Sequence, residues 1–253
     1  MRVGSLSEGL RRQTVWRVHS DAVNSAWLVR RLSPGSIHRL LKTDLFDEAV
    51  AVGLYPLLAA PARTVVGVDL DGSVIRAART RYAHIQGAWA DVRFLPFAPG
   101  AFDVVVSNST LDHFDRVADI AASLDELHRI LRPGGQLLLT LDNLANPVVA
   151  LRNALPFRPL HALGIVPYRV GAACGPRQLQ RAVHAAGFDV LEVDAILHCP
   201  RVLAVAAAAL LERIGSARAQ RRFLRCLMPF EHLAGWPTRF LTGYFTAIVA
   251  RKR

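Results

Sequence analysis

Cysteine is scarce, lysine scarcer still, and no apolar stretch is long. The 253 residues hold three cysteines, Cys174, Cys199 and Cys226, none spaced as CxxC. That spacing argues against a zinc ligand set or a disulfide framework, so no metal is expected and the three read as small buried hydrophobes. The longest apolar run, Val202 to Leu211, lies between Arg201 and Glu212. It is about half of the roughly 20 residues that a bilayer crossing needs. No transmembrane segment is expected, and the run reads as a buried or surface-lying helix, although mean hydropathy is high at +0.25. The opening MRVGSLSEGLRRQ lacks the apolar core of a secretory signal, which leaves the cytoplasm as the expected location. Negative charge is short too: 20 acids face 31 bases, for a net charge of +11. Lys42 and Lys252 are the only lysines; the other bases are arginines. Such a field attracts nucleic acid, anionic lipid or acidic substrates, and it leaves peripheral membrane contact open. Arginine and alanine richness fits GC-rich coding equally well. No tract of five like charges forms a nucleic-acid arm, so nucleic acid is not the favoured partner.

What is present is a rhythm. From about Leu40, short apolar runs alternate with longer periodic segments, the signature of βαβ units around a parallel sheet. Thr64 to Asp69, Phe102 to Ser107 and Gln136 to Thr140 read as strands buried on both faces. Between the last two, Val117, Ile120, Leu124, Leu127 and Leu131 recur at helical spacing, predicting an amphipathic helix over 116–132 stopped by Pro133-Gly134-Gly135. A helix is expected over Ser20 to Arg31, stopped by Ser33-Pro34-Gly35, and another from Pro176 to Gly187. Asp189 to Ile196 reads as a strand, and 240–251 as a strand pair or one long strand. The stretch Ala145 to Ala173, with Pro147, Pro156, Pro159 and Pro167, breaks the rhythm and reads as a substrate lid or an irregular cover over the sheet.

In a parallel α/β sheet ligands bind beyond the carboxyl ends of the strands. Asp69 ends VVGVD, where a carboxylate can accept both hydroxyls of a ribose or, alternatively, cap the helix that follows. Asp91, in GAWADVRFLP, can accept an adenine amino hydrogen while the next amide, of Val92, faces a ring nitrogen. Asn108-Ser-Thr-Leu-Asp-His113 crowds polar groups after the next strand. His113 or Asp112 there can orient a substrate or take its proton, the alternative being that Asp112 caps a helix. Asp142 and Asn143 are similarly placed.

These blocks, VVGVDLDGSVIRAA, ADVRFLPF, FDVVVSNSTLDHF and LDELHRILRPGGQLLLTLDN, resemble in order and spacing the class I S-adenosylmethionine-dependent methyltransferase family. The resemblance covers about a third of the chain, Val65 to Asn143. It implies a doubly wound, mostly parallel seven-stranded sheet of Rossmann-like type with a reversed last hairpin. It also implies S-adenosylmethionine along the carboxyl edge and methyl transfer to an acceptor. Carried over, Asp69 would hold the ribose, Leu70 would lie beside the adenine, and Asp91 and Val92 would bind the adenine edge. Asn108 and Ser109 would lie near the methionine portion, and His113 would face the methyl group or the acceptor. The chain then divides as one domain: a helical cap (1–38), a cofactor-binding core (39–144), a lid (145–175) and the end of the sheet (176–253).

One motif departs. The family's first strand opens into a loop of an acid followed by alternating glycines, needed where backbone approaches the cofactor closely. Here the stretch is LLKTDLFDEAV: Asp44 stands at the acidic position and Phe46, Glu48 and Val50 stand in place of glycines. Gly53 is the nearest glycine. Either the loop is rebuilt, with Asp44 or Glu48 receiving the cofactor's ammonium, or cofactor binding is lost. The expected function is methyl transfer to a small, apolar or amphipathic molecule. The alternatives are an inactive methyltransferase-fold partner protein and an RNA methyltransferase.

Overall fold

The computed structural model describes residues 14–32, 37–158 and 171–253. Seven strands form one sheet in the order β3-β2-β1-β4-β5-β7-β6. They are β1 (Ile37–Lys42), β2 (Ala62–Asp69), β3 (Gln86–Trp89), β4 (Phe102–Asn108), β5 (Leu131–Asp142), β6 (Phe188–Ile196) and β7 (Phe245–Lys252). The first five are parallel, and β7 runs antiparallel to both β5 and β6. The doubly wound sheet with its reversed last hairpin is therefore as expected.

Helices cover both faces because the central strands are apolar on both. On one face α1 (Thr14–Val29), α3 (Tyr55–Ala59), α8 (Arg201–Ile214) and α9 (Ala217–Leu227) pack over Leu40, Val65, Val104, Leu138 and Val249. On the other, α5 (Val117–Ile130) and α7 (Pro176–Ala185) pack over Leu41, Val66, Val105, Leu137 and Ile248. The remaining helices are α2 (Phe46–Val50), α4 (Gly72–Arg81), α6 (Pro147–Ala154) and α10 (Arg239–Thr242). Among the described residues no helix joins β3 to β4. The connecting chain instead presses Val92, Leu95 and Phe97 onto the α5 side of the sheet.

Four expectations need adjusting. The first helix begins by Thr14, earlier than Ser20, while its proposed stop at 33–35 lies outside the described residues. α5 buries Ile120, Leu124 and Leu127 as its spacing requires, but it ends at Ile130, and Leu131 opens β5. The Pro133-Gly134-Gly135 segment is therefore a bulge: pairing jumps from Phe102↔Leu131 to Val104↔Gln136. The C-terminal segment is α10 followed by one strand, whose hairpin partner is β6. Of the irregular stretch after Ala145, α6 is ordered as a helix capped by Asn146; residues 159–170, with Pro159, Pro167 and Tyr168, lie outside the described residues.

Candidate active site

The strand order reverses at β1, whose neighbours are β2 and β4, so the crevice at the carboxyl edge opens between the loops that follow β1 and β4. Those loops are stitched together. The Thr43 and Thr110 hydroxyls lie 2.8 Å apart, the Thr110 hydroxyl donates to Asp44 Oδ2 at 3.1 Å, and the Thr43 hydroxyl donates to Ser107 Oγ at 3.1 Å.

After Asp44 the chain turns into α2 instead of a glycine loop. Glu48 points into the interior and is fully buried. Its Oε2 pairs with Lys42 Nζ at 2.9 Å, and its Oε1 accepts the amides of Leu54 (2.8 Å) and Tyr55 (3.2 Å). Gly53, at φ 61°, folds the chain over that carboxylate; a Cβ there would sit 2.6 Å from Oε1. Leu45 occupies the space above Gly67 of β2, where any side chain would collide with it. Lys42 also reaches Asp44 Oδ1 at 3.3 Å. Burial pulls its ammonium down, but Asp44, Glu48 and Asp47 outweigh that and hold it above the ordinary lysine value. Asp47 pairs with Arg17, and Asp21, beside them, is pushed up to about 6 by burial and by Asp47. Four acids, Asp21, Asp44, Asp47 and Glu48, thus share two cations, Lys42 and Arg17, and burial raises Asp47 and Glu48 as it does Asp21.

Beyond β2, Asp69 Oδ2 accepts the Leu45 amide at 3.1 Å and Oδ1 the Asp71 amide at 2.9 Å. Asp69 does not cap α4; Asp71 does, accepting from Ser73 N at 2.7 Å. Burial raises the Asp69 carboxyl against the pull of those two amides. Asp69 pairs in register with Trp89, and Ala90 N donates to Asp69 O at 3.2 Å, so Asp69 and Asp91 lie on one edge, one strand apart. Leu70 and Trp89 are exposed there, the indole N–H donating to the Leu70 carbonyl at 2.9 Å. Asp91 is gripped from both sides by Arg93, with Nη2 2.6 Å from Oδ2 and Nε 3.0 Å from Oδ1. That grip holds its carboxyl below the ordinary range.

At the end of β4, Ser109 adopts φ 49°, and its hydroxyl donates to Asp112 Oδ2 at 2.7 Å. Thr140 of β5 bridges the Ser109 amide and Asn108 Oδ1, each at 3.0 Å. Asp112 is buried, its Oδ1 has no hydrogen-bond partner among the described residues, and burial followed by the charge of Asp142 pushes it up to about 6. It caps no helix; Arg116 occupies that position for α5. His113, next along, is exposed. Asp142 is held by Arg152 at 2.6 Å, and Arg152 also donates to the Tyr244 hydroxyl at 2.5 Å. Asn143 is structural, donating to the carbonyls of Phe240 (2.7 Å) and Gly243 (2.8 Å).

A protein-family model described as "Methyltransferase domain" matches residues 49–139. That segment, a little over a third of the chain, is similar to a methyltransferase domain. The match begins at Ala49, inside α2, and ends at Leu139, inside β5. A probable S-adenosylmethionine-dependent methyltransferase of Mycolicibacterium smegmatis is 27% identical over 162 residues, 64% of this chain and 58% of that protein. A ubiquinone/menaquinone biosynthesis C-methyltransferase of Dinoroseobacter shibae is 33% identical over 149 residues, 56% of this chain and 54% of that protein. The chain thus spans little more than half the length of these relatives. Its fold matches the crystal structure of the N-methyltransferase NodS from Bradyrhizobium japonicum in complex with S-adenosyl-l-homocysteine. The TM-score is 0.58, with 14% identity over 98% of this chain and 96% of that one.

Within the matched segment and the loop before it, the sequence-selected residues fall into two groups. Asp44, Asp69, Leu70, Asp91, Val92, Asn108, Ser109, Asp112 and His113 follow the carboxyl ends of β1 to β4. Glu48 and Gly53 belong to an interior turn. Sequence reasoning missed the Thr43–Thr110 stitch, Arg93 and Arg152. Lys42 carried a signal, being one of two lysines in an arginine-rich chain and standing directly before an acid-rich loop.

Proposed function

We propose that the chain transfers a methyl group from S-adenosylmethionine to a small amphipathic acceptor, and that residues 1–253 work as one catalytic unit. The observation that carries this reading is Asp69. It stands at the carboxyl end of β2 within the segment that resembles a methyltransferase domain, oriented by the Leu45 and Asp71 amides and flanked by exposed Leu70 and Trp89. Each carboxylate oxygen keeps a further lone pair for a ribose hydroxyl, and Leu70 and Trp89 offer apolar surface to a purine. The donor set suits the cofactor's charge as well: its ammonium and sulfonium are cationic, and the loop after β1 is acidic, with Asp44 partly exposed. The ammonium falls to Asp44; Glu48 and Gly53 support the loop from inside. Asn108 and Ser109 lie beside the methionine portion. Asp91 and the Val92 amide receive the adenine once Arg93 swings away onto its second partner, Asp119, at 3.0 Å.

The cofactor supplies an electrophilic methyl carbon. The protein aligns the acceptor with it and excludes water, and such positioning can contribute roughly 7–11 kcal/mol. Where the acceptor must lose a proton, Asp112 takes it. Its Oδ1 is unpartnered among the described residues, and a carboxylate near 6 is an effective base at neutral pH. The quinone C-methyltransferase name of one relative supports an amphipathic acceptor.

Arg93 favours one rival reading, a domain shut against cofactor, because it saturates Asp91. Titration calorimetry with S-adenosylmethionine and S-adenosylhomocysteine separates the two. Micromolar binding is expected, and absence of heat and of thermal shift at millimolar ligand would sink the enzymatic reading. For Asp112, turnover is expected to rise with pH through about 6 and then level. Asp112→Asn should flatten that profile and lower turnover by about 100-fold or more, with little change in cofactor affinity. Linkage provides a second readout. The folded state holds this proton up to about 6 against 3.8 unfolded, so stability falls as pH rises through that window, and Asp112→Asn should lessen the fall, the remainder belonging to other buried acids such as Asp21. A flat wild-type profile, or the same losses in His113→Ala, would move the base elsewhere.

A further inference from the structure

The longest apolar run of the sequence did not become core. In α8 only Ala204 and Ala208 are buried, while Val202, Leu203, Leu210 and Ile214 are 58%, 70%, 55% and 77% exposed. The helix is held by its opposite side. α8 and α9 both rest on α1, and the one acid of α8, Glu212, turns inward to accept the Val15 amide at 2.6 Å. Gly215 and Ser216 join α8 to α9, and Gln220 Nε2 donates to Leu211 O at 3.1 Å across the hairpin.

α9 is amphipathic in the opposite chemistry. Leu227 is buried and Phe223 and Leu224 pack on the core. Arg218, Arg221, Arg222 and Arg225 are exposed and line one surface hollow. No acid occurs between Glu212 and Glu231. The pairs described for the chain's other arginines, such as Arg31–Glu192 and Arg253–Asp189, have acids beside them; this hairpin has a stretch of positive charge without one.

We infer that the α8–α9 hairpin is a docking surface for an anionic lipid membrane. The exposed apolar side chains of α8 enter the acyl boundary, and the α9 arginines meet phosphate headgroups. Both elements are needed to choose this occupant. Arginines alone would fit RNA, but RNA would leave Leu203, Leu210 and Ile214 in water. The apolar face alone would fit a second copy of the chain, but an isologous contact there would bring two arginine clusters together with no acid between them. A bilayer surface satisfies both, since interfacial helices bind by buried apolar area together with attraction to anionic lipid. The contact is peripheral: among the described residues no helix is long and apolar enough to cross a membrane.

The inference does not rest on the proposed activity, because it is tested without cofactor or acceptor. The full chain is co-sedimented with vesicles of equal parts phosphatidylglycerol and phosphatidylcholine, and with pure phosphatidylcholine vesicles. Binding is expected to the first and to be weak to the second. Replacing Arg218, Arg221, Arg222 and Arg225 together by Gln should lower partitioning by roughly 100-fold or more at low salt. A second variant, Leu203→Gln with Leu210→Gln and Ile214→Gln, should lower it at least about tenfold, and what remains should vanish with salt. All seven side chains are on the surface, and circular dichroism melting checks that both variants keep the fold. Equal binding by the arginine variant would overturn the inference. So would RNA binding without vesicle binding, or a dimer that the α8 variant dissociates.

Discussion

Asp69→Ala is expected to raise the dissociation constant for S-adenosylmethionine by about 100-fold or more, because two hydrogen bonds to a charged acceptor are each worth about 1.5–3 kcal/mol. The loss has a second origin. Asp69 also accepts the amides of Leu45 and Asp71, so the loop after β1 and the turn into α4 are both positioned from this one carboxylate. Asp69→Asn keeps one acceptor oxygen and should fall between wild type and alanine. Calorimetric titration reads the affinity directly, and the melting temperature without ligand reads the loop contribution. An alanine variant that binds cofactor within about threefold of wild type would remove Asp69 from the site and, with it, the main support for the proposed enzyme.

Glu48→Ala should act on stability and leave the cofactor alone. Removing one partner of a buried ion pair costs about 3–5 kcal/mol, since the other charge stays behind without compensation. Here that charge is Lys42, which is fully buried with Nζ 2.9 Å from Glu48. The Leu54 and Tyr55 amides also lose their acceptor. For a chain of this size each kcal/mol corresponds to roughly 2–4 °C, so the melting temperature should drop by about 6–20 °C. Lys42→Met combined with Glu48→Leu should recover part of the loss, because the unpaired charge is gone while the two amides remain unmet. Cofactor affinity measured well below the transition should change little if Asp44 receives the ammonium. A large affinity loss in Glu48→Ala without a stability loss would return that role to Glu48.

How much of this could be read from the residues varied with burial. β2 and β4 were legible to within a residue or two because both their faces are covered, and a strand so placed must be apolar throughout. α5 was legible because one face meets the sheet and the other meets water. β3 was not: Gln86–Trp89 is a short edge strand with no buried residue, so no alternation marks it. The carboxylates at strand ends were legible because topology alone places them on the binding edge. The direction in which each carboxylate points was not. Asp44 and Glu48 are four residues apart in one acid-rich loop, yet one reaches Thr110 at the edge while the other turns inward to Lys42. The short α2 decides this, and five residues with two acids give little helical signal. The lock of Arg93 on Asp91 depends on a turn marked by the Asp91↔Phe94 bridge, which carries no periodicity.

The two lysines point to a practical property of the folded chain. Lys42 is sealed beneath α2, and Lys252 donates to the carbonyls of His128 (2.7 Å) and Leu131 (2.8 Å) at the end of α5. Lys42 is withheld from reagents by burial, whereas Lys252 is partly exposed and its ammonium is held below the ordinary lysine value by burial and by Arg129, so an acylating reagent meets one reachable lysine on a surface whose other cations are arginine. Acylation of Lys252 would then mark the folded chain at a single place, and acylation of Lys42 would report opening of the turn that Glu48 closes after β1, a clock of local unfolding built into the molecule.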